Sequence, residues 1–326
     1  MGVRNQDFSG IFQPMNAQTA TRIDETLQYL NHNVLQGKQE ALRLAMVAML
    51  TGGHLLIEDL PGLGKTTLAL ALAGSTGLSL GRVQCTSDLL PSDITGLSIF
   101  HREEGRFVFL PGPIFNHIVL VDEINRAMPR TQSALLEAME ERRVTVEGTT
   151  HPLPDPFLVI ATQNPSEQTG TYPLPESQLD RFLLCTGIGY PPEALEKAII
   201  AGGGIRDRLA GLPRLLDVEA LLAARQAVAQ VYLGDKVVDY LHRFIAVTRS
   251  HSVVLTGLST RAGIGLAQAA RAAAYLAGRD YVAPEDVRDL GVACGAHRLL
   301  LRPEFEGRDR RELIRTILAE IPLPLA

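Results

Sequence analysis

Cysteine is scarce in this chain: Cys85, Cys185 and Cys294 are the only three in 326 residues. They lie far apart and form no C-x-x-C pair, which excludes a disulfide framework and reads as reduced thiols in a cytosolic protein. The histidines show no H-x₃-H type of spacing, so no zinc site is expected. Positive charge is not in excess: 31 Lys and Arg against 36 Asp and Glu give a net charge of −5. That balance counts against a nucleic-acid binder, because phosphate contacts need a basic face. Long apolar runs are missing too. The most apolar window, ALRLAMVAMLTGGHLLI, contains Arg43 and a Gly52-Gly53 break and is short for a membrane span. The opening MGVRNQDFSG does not resemble a signal peptide, and no internal repeat or low-complexity tract is present. What remains is a chain 46% hydrophobic and 21% charged, a globular composition with length for one large domain or two.

Residues 1–18 read as a loose leader, and Ile23 to Leu50 carries helical apolar spacing in two pieces. Apolar runs then alternate with helical patterns. HLLIE (54–58), GRVQC (81–85), HIVLVDE (117–123), FLVIATQ (157–163) and FLLCTGI (182–188) are the strands; TTLALALAG (66–74) and RTQSALLEAMEERR (130–143) are helices between them. Continuous apolar strands alternating with helices predict a parallel sheet covered on both faces. Two segments break the rhythm as β-hairpins, LSIFHREEGRFVFLPG (97–112) and RVTVEGTTHPLP (143–154). Beyond a Pro-rich linker near 189–196 only helical patterns are read, with GGG (202–204) as a flexible connection. The division is a leader at 1–18, an α/β core at 19–190 and a smaller all-α domain at 191–326.

The stretch after the first strand, IEDLPGLGKTT (57–67), nearly matches the phosphate-binding pattern G-x-x-x-x-G-K-[ST]. Asp59 stands where that pattern has its first glycine. Asp59, Leu60, Pro61, Gly62, Leu63, Gly64, Lys65, Thr66 and Thr67 form the candidate ATP loop. Its backbone N–H groups and a helix N-terminus would cradle phosphate. Lys65 would reach the terminal phosphates and Thr66 would give its hydroxyl to Mg²⁺. A carboxylate at 59 would be repelled by a triphosphate and is expected to point away. Asp122 and Glu123 close an apolar strand, where Asp122 would hold Mg²⁺ and Glu123 would act on the attacking water. Asn164 follows the next strand and would hold that water in line.

The combination resembles the MoxR family of AAA+ ATPases. The residues that carry the likeness are LPGLGKT (60–66), FLPGPIF (109–115), VDEINRA (121–127), ALLEAMEER (134–142), IATQNP (160–165), GTYPLPESQLDRF (170–182) and AHRLLLRPE (296–304). The resemblance implies a five-stranded parallel sheet in the order 5-1-4-3-2, two inserted hairpins and an all-α lid. It implies that Asn164 is the sensor 1 residue and that Arg181 in LDRF is an arginine finger for a neighbouring subunit. Arg261 in LSTRA matches the second sensor, with Thr260 where the family more often has proline. It also implies Mg-dependent ATP hydrolysis by a homo-oligomeric ring, usually a hexamer, that acts on client proteins with a von Willebrand factor A domain partner.

Without the family, Arg181 reads as a partner of Asp180, and Arg261 as a lid-surface charge. Arg126 is a candidate for the subunit interface. Phe100, Phe107, Phe109 and Phe115 read either as a grip on client protein or as hairpin packing. Arg102, Arg106, Arg142 and Arg143 place positive charge on or beside the hairpins. Competing functions are the ATPase subunit of a metal chelatase, a DNA-acting motor and a nucleotide-gated binder without hydrolysis.

Overall fold

The computed structural model describes residues 14–103, 105–164, 169–201 and 205–324. The expected leader lies outside them up to residue 13, as does the glycine connection at 202–204. Two helices open the chain, α1 (Pro14–Asn33) and α2 (Gln39–Thr51). The α/β core follows: β1 (Leu55–Glu58), α3 (Lys65–Thr76), β2 (Leu80–Gln84), α4 (Pro91–Thr95), β3 (Gly96–His101), β4 (Arg106–Pro111), β5 (Ile118–Asp122) and α5 (Pro129–Glu141). It ends with β6 (Arg143–Val146), β7 (Thr149–Pro152), β8 (Leu158–Gln163), α6 (Glu176–Leu179) and β9 (Leu184–Thr186). The lid holds α7 (Glu193–Ile200), α8 (Ile205–Ala210), α9 (Val218–Gln230), α10 (Asp235–Ser250), β10 (Val254–Thr256), α11 (Thr260–Leu276), α12 (Pro284–Gly295), β11 (Leu300–Leu301) and α13 (Arg310–Glu320).

The main sheet runs β2-β5-β8-β1-β9, and every pairing in it is parallel. Counting only these five strands, the order is the expected 5-1-4-3-2. Strand period explains the two-sided burial. Leu55 and Ile57, Ile118 and Leu120, and Leu158 and Ile160 face one core shared with α2, α3 and the lid. Leu56, Val119, Val121, Val159 and Ala161 face the other, closed by Leu135, Leu136 and Met139 of α5. A sheet covered this way leaves its strand ends free for chemistry, at the C-terminal edge above all. All three cysteines are free and buried. No helix among the described residues is long and apolar enough to cross a membrane.

Both expected hairpins form, as β3–β4 and β6–β7. The four phenylalanines divide. Phe100 and Phe107 face each other across β3–β4 with ring centroids 5.4 Å apart, and both are more than half exposed. Phe109 instead stacks on His151 of the second hairpin at 4.1 Å and meets Phe115 edge-on. Arg142 does not join the surface charge expected beside the hairpin: it ends α5 in the left-handed region at φ 53° and turns inward onto the Gly52 carbonyl.

The lid is not wholly helical. β10 and β11 pair antiparallel, Val254 with Leu301 and Thr256 with Leu300. A strand this short has no readable alternation, so HRLLL looked like a continuation of α12. That helix stops at Gly295, and Arg298 then takes the local backbone carbonyls.

Two buried histidines stiffen the core. His54 Nδ1 accepts from Val159 N at 3.0 Å, which leaves Nε2 to donate to the Met139 carbonyl at 3.2 Å. Burial holds its pKa down at about 4. His297 donates from Nε2 to the Phe182 carbonyl, and burial again pushes its pKa well below the usual value. The unfolded chain protonates both below about pH 6.5, whereas the fold resists. Stability is therefore complete above pH 6.5 and is expected to fall as pH drops toward 4, by about 1.4 kcal/mol per pH unit for each histidine. Urea unfolding across that range checks it; a flat profile contradicts it.

Candidate nucleotide site

The cradle begins where β1 leaves the sheet. Gly62 and Gly64 sit at φ 85° and 99°, a region that side chains with a Cβ rarely enter. A Cβ built on either would meet nothing within 4 Å, so the backbone here borders open space. α3 starts directly after, at Lys65. The cavity above has a volume of about 360 Å³ and is lined by loop residues, including Lys65, Thr66 and Thr67, and by Asp122, Glu123 and Asn164. The three strand ends named from the sequence thus converge on one site.

Asp59 faces away from it. Its Oδ2 accepts from Ile188 N at 2.7 Å and Gly189 N at 2.6 Å, and its Oδ1 from Leu60 N. The carboxylate replaces a glycine by fastening the strand exit to the turn after β9. Lys38 reinforces this turn from the other side, donating to the Ile188 and Gly189 carbonyls. Asp59 contributes to the cradle through its carbonyl, which accepts from Lys65 Nζ at 2.5 Å. Burial holds the Lys65 ammonium below its usual pKa, against Asp59, Asp122 and Glu123, which raise it. Leu60 is exposed and Leu63 packs against the core; neither lines the cavity.

Asp122 is only 8% exposed and pairs with Arg82 Nε at 2.8 Å. Glu123 occupies the left-handed region at φ 57°, pinned by its N–H to Thr162 Oγ1 at 3.0 Å. Its carboxylate receives Gln84 Nε2 and Arg126 Nε, both at 3.2 Å. Arg82, Gln84 and Thr162 were not singled out from the sequence. The signal was available in GRVQC, where Arg82 and Gln84 alternate with the buried Gly81, Val83 and Cys85. Sheet order then places β2 beside β5, with Gln84 level with Asp122.

The arginines gather elsewhere. Arg181 Nε lies 3.3 Å from Glu140, and Arg261 donates to the other oxygen of the same carboxylate. They border a second cavity of about 360 Å³ together with Gly52, Gly53 and His54, which precede β1. The cradle follows β1, so the two sites lie at opposite ends of that strand. At roughly 3.3 Å per residue the extended path from Gly53 to Asp59 is about 20 Å, beyond the reach of an arginine side chain. Asp180 does not pair with Arg181. It is held by Arg298 at 2.8 Å and by the Ser259 hydroxyl at 3.1 Å. Arg298 is itself buried and also donates to the carbonyls of Phe182 and Leu183. It sets the turn that presents Arg181, and losing it takes the charged partner from Asp180 and one donor each from the carbonyls of Phe182 and Leu183. Arg298→Leu is expected to cost about 3–5 kcal/mol of folding stability, read by denaturant unfolding; a loss under about 1 kcal/mol contradicts this role.

The family model for the ATPase family associated with various cellular activities matches residues 54–184, and the AAA lid domain model matches residues 246–317. Chaperone MoxR1 of Mycobacterium tuberculosis is 39% identical over 82% of this chain and 73% of its own length. Protein MoxR of Paracoccus denitrificans is 33% identical over 90% and 94%. The chain belongs to the MoxR family of AAA+ ATPases. YeaC of Bacillus subtilis is 43% identical over 93% of this chain and 95% of its own length. A crystal structure of a protein provisionally assigned as an ATPase, from Cytophaga hutchinsonii, superposes with a TM-score of 0.88 at 35% identity, covering 95% of this chain and 97% of that one. The MoxR likeness therefore spans core and lid together.

Proposed function

We propose that this MoxR-type chain hydrolyses ATP with Mg²⁺ in a ring whose active sites are shared between neighbours. The observation that carries the reading is the convergence of Gly62, Gly64, Lys65, Thr66, Asp122, Glu123 and Asn164 on one cavity. The residues fit the group: two glycines open the backbone to phosphate, and a hydroxyl and a carboxylate offer hard oxygen donors. Thr66 and Asp122 would hold Mg²⁺, which when bound neutralises phosphate charge.

The chain's own groups supply the rest. Lys65 gives up the Asp59 carbonyl and turns its ammonium to the terminal phosphates. Glu123 accepts the proton of the attacking water, while Gln84 and Arg126 fix its position. Asn164 keeps that water in line. Arg181 serves the cradle of the next subunit, with Arg261 beside it; the separation along β1 supports action between subunits rather than within one. The Phe100–Phe107 pair offers an exposed apolar contact for client protein, and the von Willebrand factor A domain partner enters on the family resemblance. Turnover of ATP should disappear on chelation of Mg²⁺ and return on its readdition, and Lys65→Ala should be inactive. Undiminished hydrolysis by Lys65→Ala would overturn the reading.

A further inference from the structure

The C-terminal end of α2, the turn between β7 and β8, and lid helices α9 and α11 enclose a cavity of about 510 Å³, separate from the cradle. Its polar side carries Arg225, Arg271, Thr51, Gln226 and Gln268, with Asp155 as the one carboxylate. Leu222 and Val228 make its apolar side. Among the described residues, Arg271 Nε is shut off from solvent and has no hydrogen-bond partner. Arg142 stands next to the cavity and converges with Arg225. Their Nη2 atoms lie 2.8 and 2.9 Å from the position that a Cβ on Gly52 would take. Burial, and then the charge of Arg225, holds the Arg142 pKa below its ordinary value. Arg225 pairs with Asp155, but that carboxylate is 61% exposed, so water screens it. Like charges brought together in a partly buried place mark a site built for a counter-anion.

We propose that this cavity binds a phosphate group, held by the guanidiniums of Arg225 and Arg271. Arg225 and Arg271 outnumber the one carboxylate of the lining, and Arg142 adds positive charge from beside it, a balance that suits a phosphate monoester above its second pKa of about 6. Guanidinium offers the planar paired donors that phosphate oxygens accept best. The side-chain amides of Gln226 and Gln268 supply further donors. Leu222 and Val228 give the carbon skeleton of a monoester an apolar wall. Arg271 and Arg225 come from the lid and Thr51 from the core, so an occupant joins the two.

The test uses the full chain with Lys65→Ala, which disables the cradle and leaves this cavity as the phosphate site. Inorganic phosphate and phenyl phosphate are titrated separately by calorimetry, and saturable binding of one phosphate group per chain is expected. Arg225→Gln and Arg271→Gln, each added to that background, should weaken it roughly tenfold to hundredfold. Arg271→Gln removes a group whose Nε has no partner, and thermal unfolding checks that the variant folds. Tighter binding of phenyl phosphate identifies a monoester as the source, and equal binding identifies free phosphate. No uptake of either ligand, or uptake that neither arginine substitution weakens, overturns the proposal. Because the cradle is already disabled, this result does not depend on whether the ATPase reading holds.

Discussion

Arg181→Ala is expected to lower ATP turnover by roughly 10³–10⁵, the range over which an arginine supplied between partners acts. Affinity of the same chain for ATP should change little, because Arg181 stands at the far end of β1 from its own cradle. The effect should be electrostatic. Charge develops on the terminal phosphate during transfer, and a guanidinium placed there stabilises the transition state more than the bound nucleotide. Glu140 holds both Arg181 and Arg261 in the isolated chain, so in the proposed ring these arginines would exchange one anion for another. The check is steady-state hydrolysis beside a direct binding measurement. Full turnover by Arg181→Ala would remove the finger.

Glu123→Gln should reduce turnover by about 10²–10⁴ while ATP still binds. The amide keeps the shape of the side chain and can still meet Arg126 or Gln84, but it cannot accept the proton of the attacking water. The left-handed backbone at Glu123 and its bond to Thr162 Oγ1 are untouched by the change, so the loss belongs to the carboxylate alone. Single-turnover kinetics with bound ATP would read it. A variant that retains more than about a tenth of the parent rate points to another base.

Much of this fold was legible because its signals repeat. Five apolar strands and the helices between them gave the two-sided sheet. Gly62, Gly64 and Lys65 gave the cradle, and Asp122, Glu123 and Asn164 marked strand ends on the same edge. Asp59 was legible in outcome: its carboxylate was expected to point away from a phosphate, but only the fold shows that Ile188 and Gly189 receive it. The hidden parts depend on contacts distant in sequence. Arg82 meets Asp122 across forty residues and Arg298 meets Asp180 across 118, and no local pattern announces such pairs. Arg142 was read together with Arg143 as positive charge beside the second hairpin, but a left-handed residue at the end of α5 turns it inward onto the Gly52 carbonyl. β10 and β11 are too short to carry a period.

The most direct measurement mixes two variants that are each inactive. Lys65→Ala has a finger but no working cradle, and Arg181→Ala has a cradle but no finger. If sites are shared around a ring, random exchange of equal amounts pairs a sound cradle with a sound finger at about a quarter of the interfaces. The mixture should then recover about that fraction of the parent ATPase rate. A mixture as inactive as its components, with subunit exchange verified, would contradict a site built between subunits.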